Sequence, residues 1–121
     1  MTASRRRRAF GQHFLRDEKT IGKIVSETFD QVDRFGARTL LEIGPGKGAI
    51  TNPLLEGIEA RRPGLDRFVV VEKDRRLSSE WKERFLGNPV AKIVEEDFLE
   101  VKAETYLDRP PVVVVSNLPY S

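Results

Sequence analysis

Apolar residues recur along the chain in two alternating rhythms. From Asp17 onward, Ile21, Ile24, Val25, Thr28, Phe29 and Val32 are spaced by three and four, which lays one apolar stripe along a helix. Asp17 fits its cap and Gly36 its stop. Thr39 to Ile43 is a short apolar run of the kind buried on both faces of a parallel sheet. Ala49 to Ile58 predicts a second helix, in which Pro53 predicts an early break or an irregular first turn. After turn material at Arg61-Arg62-Pro63-Gly64, Phe68 to Val71 is a second buried strand closed by Glu72. Asp74 then caps a helix carrying Leu77, Trp81, Phe85 and Leu86, with Trp81 read as core and not as a stacking platform. Gly87-Asn88-Pro89 ends that helix, and Val90 to Val94 makes a third strand. Phe98 to Leu107 is a weak helix, and Val112 to Val115, entered through Pro110-Pro111, is the fourth strand.

Strands alternating with helices imply an α/β fold: right-handed crossovers and a parallel sheet with helices on both faces. Ligands of such sheets sit beyond the carboxyl ends of the strands. Each of the four strands carries a polar residue there, Glu42 just inside the first strand's end and then Glu72, Asp97 and Asn117. One edge therefore holds the candidate chemistry.

Composition narrows the class. At 121 residues the chain suffices for one small domain and is short for a complete doubly wound sheet. It has no cysteine, which excludes a disulfide framework, a thiolate metal site and a cysteine nucleophile. His13 is the single histidine, with no acid at ligand spacing, so metal binding is not expected. No wholly apolar run without proline, Val112 to Val115 included, exceeds four residues, too short to span a bilayer, and the early arginines lead into no apolar signal core. A cytoplasmic protein with no membrane partner is the expectation.

The net charge of +2 hides an asymmetry. Residues 1–16 hold Arg5, Arg6, Arg7, Arg8 and Arg16 and no acid, a local +5; the other 16 basic and 19 acidic residues leave 17–121 at −3. Such an arm is a solvated tail, a short presequence, or a device that displaces counterions from nucleic acid without reading sequence.

Between the first strand and the second helix lies Gly44-Pro45-Gly46-Lys47-Gly48, a turn whose glycines let backbone N–H groups close on a ligand. A Walker-type phosphate loop fails, because Lys47 is followed by Gly48 and not by Ser or Thr at the required spacing. The permissive dinucleotide pattern Gly44-x-Gly46-x-x-Ala49 is met, but Glu42 stands where it would repel a pyrophosphate, and Pro45 lies inside the turn. S-adenosylmethionine accounts for more: Glu42 suits its amino group and sulfonium, Glu72 its ribose hydroxyls, and Asp97 with Phe98 its adenine.

Ser116-Asn117-Leu118-Pro119-Tyr120 resembles the Asn-Leu-Pro-Tyr signature of ribosomal RNA adenine N6-dimethyltransferases. Gly11-Gln12-His13-Phe14-Leu15 is similar to that family's N-terminal motif, and Glu42-Ile43-Gly44-Pro45-Gly46 to its cofactor loop. The match runs from about Phe10 to Tyr120 with the motifs in order. It implies a Rossmann-like class I S-adenosylmethionine-dependent methyltransferase fold with strand order 3-2-1-4. It also implies a pocket lined by Gln12, His13, Phe14, Leu15, Glu42, Gly44, Gly46, Glu72, Asp97, Phe98 and Asn117. Asn117 and the Leu118 carbonyl would hold the hydrogens of the target amine, Pro119 would stiffen the turn and Tyr120 would stack on the extruded base. Arg5 to Arg8 would contact phosphates of small-subunit rRNA within a pre-30S particle.

The expected organisation is an arm and lid motif over 1–16, then the first half of a cofactor domain over 17–121, the rest of that domain and a helical C-terminal domain being absent. Strand four would be an exposed edge prone to self-association, and the fragment alone inactive. Alternatives are a large-subunit rRNA methyltransferase of the antibiotic-resistance type, a mitochondrial transcription factor of the same superfamily, a noncatalytic module binding cofactor and nucleic acid, and a dehydrogenase.

Overall fold

All five residues of Thr39–Ile43 are buried, and the rest of the fold is arranged to bury them. The computed structural model describes residues 17–61, 64–100, 102, 104 and 109–116. In chain order the elements are α1 (Glu18–Phe35), β1 (Thr39–Ile43), α2 (Thr51–Arg61), β2 (Arg67–Glu72), α3 (Arg75–Arg84), β3 (Ala91–Glu95), a 3₁₀ turn (Phe98–Glu100) and β4 (Val112–Ser116). The four strands form one sheet in the order β3-β2-β1-β4, parallel throughout, as the sequence leads one to expect.

Side chains alternate between the two faces of a strand, and the alternation yields two cores. On one face Leu40, Phe68, Val70, Ala91 and Val115 pack with residues of all three α-helices, among them Phe29, Leu54, Ile58 and Trp81. Trp81 and Phe85 stack at 5.4 Å between ring centroids, tilted by 43°, within the range in which aromatic pairs attract. On the other face Leu41, Ile43, Val69 and Val71 are buried, with Val94, Val112 and Phe98 of the 3₁₀ turn against them.

The helix α1 has the predicted ends. The Asp17 carboxylate accepts from the N–H groups of Lys19 and Thr20, and Gly36 closes the helix with φ 58° in the left-handed region. Its partner α2 contains Gly57, where an added Cβ would lie 2.6 Å from Cζ of Phe29. That glycine lowers helix propensity and admits the Phe29 ring.

Three expectations need correction. The helix α2 begins at Thr51, not Ala49, and continues to Arg61 past Pro53. Pro53 falls in the first turn, where a backbone N–H has no intrahelical acceptor to lose, so it does not break the helix. Leu86 is no helical core position: α3 ends at Arg84, the chain turns at Gly87 with φ 80°, and Leu86 is 85% exposed. Of the weak helix after Phe98, the described residues form only the 3₁₀ turn, started by Asp97, which accepts the Leu99 N–H on its side chain and the Glu100 N–H on its carbonyl. Such local bonding competes with an α-helix. On β4, Val115 is buried and Val114 is 54% exposed, so the apolar surface on that strand is real but uneven.

Candidate functional site

The carboxyl ends of β1, β2 and β3 finish level. Ile43 pairs with Val71 and Val71 with Val94; one step further the Gly44 N–H donates to the Val71 carbonyl at 2.9 Å, and Glu72 pairs with Glu95. Gly44, Glu72 and Asp97 are thereby brought to one edge. Glu42 is different. It lies one residue inside β1, on the helix-covered face, paired with Val70 and Val115.

The glycine loop needs its glycines for two reasons. Gly44, Gly46 and Gly48 have φ of 72°, 56° and 97°, a region that side chains disfavour. At Gly48 there is also no room: a Cβ would lie 2.7 Å from Cη2 of Trp81 and 2.8 Å from Nδ2 of Asn52. Trp81 braces the loop from below, donating from Nε1 to the Gly46 carbonyl at 3.1 Å. The apolar spacing that marks Trp81 as core is correct, and its indole nitrogen adds a second task.

Glu42 is wholly buried. The hydroxyl of Thr51, the first residue of α2, donates to Oε1 at 2.6 Å, and Oε2 has no hydrogen-bond partner among the described residues. Burial pushes this carboxyl up from 4.5 to about 7, with the Thr51 hydrogen bond pulling the other way. A buried carboxylate with one oxygen unsatisfied is costly unless a cation or a donor joins it. Glu72, also buried, accepts the Asp74 N–H on Oε2 at 2.8 Å, which fixes its side chain at the end of β2. Asp97 is half-buried and turns the chain after β3, with Phe98 packed beside it against the second core.

The remaining residues singled out in the sequence, namely Arg5, Arg6, Arg7, Arg8, Gln12, His13, Phe14, Leu15, Asn117, Leu118, Pro119 and Tyr120, lie outside the described residues. Sequence reasoning passed over Thr51, whose only signal is a hydroxyl at a helix start. It weighed Lys47 only as a Walker-type lysine and passed over Arg76 and Arg84, which the fold gathers with Lys47 beside the loop. Among the described residues no cluster of three His, Cys, Asp or Glu side chains could hold a metal ion, and no helix is long and apolar enough to cross a membrane.

Comparison with known proteins gives a consistent picture. The family model described as ribosomal RNA adenine dimethylase matches residues 3–121. The chain is 38% identical over 120 residues to ribosomal RNA small subunit methyltransferase A of Geobacter sulfurreducens, covering 97% of this chain and 40% of the relative. To the protein of the same name from Acidobacterium capsulatum it is 39% identical over 112 residues, covering 91% of this chain and 35% of the relative. Among solved structures, the 23S rRNA methyltransferase ErmE is similar with a TM-score of 0.58 and 27% identity, over 86% of this chain and 36% of that one. The chain thus spans about two fifths of the length of the curated relatives it matches.

Proposed function

The chain belongs to the ribosomal RNA adenine dimethylase family, and from that premise we propose that it transfers methyl groups from S-adenosylmethionine to the N6 amine of adenines in small-subunit rRNA. Residues 17–121 then form the first half of the cofactor domain, with 1–16 as arm and lid. The observation that carries the cofactor is Glu42, a buried carboxyl with Oε1 held by Thr51 and Oε2 unpartnered among the described residues. A cationic amino acid moiety suits it, whereas a pyrophosphate in the same loop would be repelled.

When bound, the cofactor supplies an electrophilic methyl group. The chain's own residues bind and orient. The positive-φ glycines bring backbone close to the methionine portion. Glu72, fixed by the Asp74 N–H, has its other oxygen for ribose hydroxyls, and Asp97 accepts from the adenine amine with Phe98 beside the ring. Gln12, His13, Phe14 and Leu15 close the cofactor side. The target amine is a poor nucleophile because its lone pair is delocalised into the purine. Asn117 Oδ1 and the Leu118 carbonyl accept its two hydrogens and favour a pyramidal nitrogen, while Pro119 and Tyr120 hold the base. No strong general base is required, since the amine becomes acidic only after methyl transfer.

Titration with S-adenosylmethionine and, separately, NAD tests the cofactor; binding of NAD alone would sink the reading. Mass spectrometry of rRNA methylated by the intact protein tests the substrate. Dimethyladenosine in the small-subunit product is expected, and its appearance in large-subunit rRNA instead would favour the second reading, which the likeness to the 23S rRNA methyltransferase supports.

A further inference from the structure

The flank of the glycine loop turned toward α3 is basic. Lys47 of the loop and Arg76 and Arg84 of α3 line an open cleft of about 420 Å³, whose walls also include Gly46, Leu77, Glu80 and Trp81. Glu42, Glu72 and Asp97 are not among its lining residues. Residues 17–121 carry 16 basic and 19 acidic side chains, a net −3. Three cations against one acid are therefore a local reversal of the body's charge.

Arg84 is set in advance. Its guanidinium lies 4.4 Å from the Trp81 ring centroid, and its Nη2 donates to Asn52 Oδ1 at 2.5 Å. Trp81 is in turn tied to the Gly46 carbonyl. Two contacts fix the plane of the guanidinium and leave its other N–H groups unclaimed among the described residues. A fork held in this way loses little further entropy when it meets a phosphate, whose oxygens match its donors. Lys47 is exposed and makes no ion pair among the described residues. Arg76 has only a 3.8 Å contact with Glu80, both side chains being largely solvated, and such a pair competes weakly with an incoming anion.

We propose that this cleft seats the phosphodiester backbone of the RNA substrate. The inference rests on the RNA reading above and adds to it a second seat that adjoins the cofactor cradle at Gly46. Phosphate contacts position a nucleic acid without reading its sequence. A backbone seat that shares Gly46 and Lys47 with the loop would register the RNA against the carboxyl ends of the strands, where the cofactor is read.

The test is binding of a labelled small-subunit rRNA fragment by the intact protein, from about 50 to about 200 mM salt. Arg84→Gln and Lys47→Gln should each weaken binding by about two- to tenfold and flatten the log–log salt slope by about one. Arg84→Lys, which keeps the charge but not the fork, should restore most of the slope and only part of the affinity. Glu80→Gln, which removes the single acid, should tighten binding, a direction that misfolding cannot imitate. Calorimetric affinity for S-adenosylmethionine should be unchanged in Arg84→Gln and Glu80→Gln. If the wild type binds RNA and these two variants match it at every salt concentration, the cleft is not the seat and only this inference falls. A wild type that binds no rRNA at any salt concentration overturns the RNA reading itself, and this inference with it. Loss of RNA and cofactor affinity together in Arg84→Gln, with Glu80→Gln silent, also overturns the inference.

Discussion

On its sheet side the glycine loop meets carboxylates, Glu42 within β1 and Glu72 at the end of β2, both buried. On its helix side its own Lys47 stands with Arg76 and Arg84, all exposed. The two flanks differ in sign and also in solvent. A desolvated acid is hardly screened by salt, and its charge state is set by whatever stands next to it. Solvated cations keep their charge and act through a field that salt weakens. A single turn of chain can thus offer a cation a dry contact and an anion a wet one, because Trp81 and the core beneath it keep the two sides apart.

The largest effect should come from removing that wall. Trp81→Ala deletes a fully buried ring and should cost about 3–5 kcal/mol by denaturant unfolding, whereas Trp81→Phe, which loses mainly the bond to Gly46, should cost nearer ~1 kcal/mol. A smaller difference between the two would mean that the brace, and not the bulk, divides the flanks. Gly48→Ala comes next, at about 3 kcal/mol, since it combines a left-handed φ with a clash against Trp81. Its thermal midpoint should fall without any pH dependence.

Glu42→Gln should act in the opposite direction. A carboxyl whose folded-state pKa of about 7 exceeds its ordinary 4.5 holds its proton more tightly when folded. Wild-type stability is therefore lost as pH rises from about 4.5 to about 7. The glutamine variant escapes that loss and should be more stable by up to about 3 kcal/mol at pH near 8, with the gap closing near pH 4. It should bind S-adenosylmethionine more weakly, and that trade is what separates a ligand-binding acid from a structural one. The smallest effect is Asp74→Ala, which removes the cap of α3 and should cost about 1 kcal/mol while loosening the helix that carries Arg76 and Arg84.

Strands and their order were legible in the sequence because buried parallel strands are continuous apolar runs, and Val69 to Val71 or Leu40 to Leu41 admit few other uses. The ends of α1 were legible because Asp17 and Gly36 act through their own backbone neighbours. The acidic edge was legible in part: topology puts Glu72 and Asp97 at strand ends. That Glu42 faces Thr51 depends on where α2 starts, and Pro53 made that start hard to read. The basic cleft was invisible, because Lys47 and Arg84 are 37 positions apart and meet only once Trp81 is packed.

Glu42 is buried with only the Thr51 hydroxyl to offset its desolvation. Burial raises its carboxyl from 4.5 to about 7, so near neutral pH the protonated form is far more accessible than in an exposed glutamate. A cationic ligand selects the ionised form, so binding near neutral pH should release protons. Calorimetric enthalpies for S-adenosylmethionine should then vary with the ionisation enthalpy of the buffer, and Glu42→Gln should reduce that variation. The affinity of this cradle is in that sense set jointly by cofactor and hydrogen-ion activity.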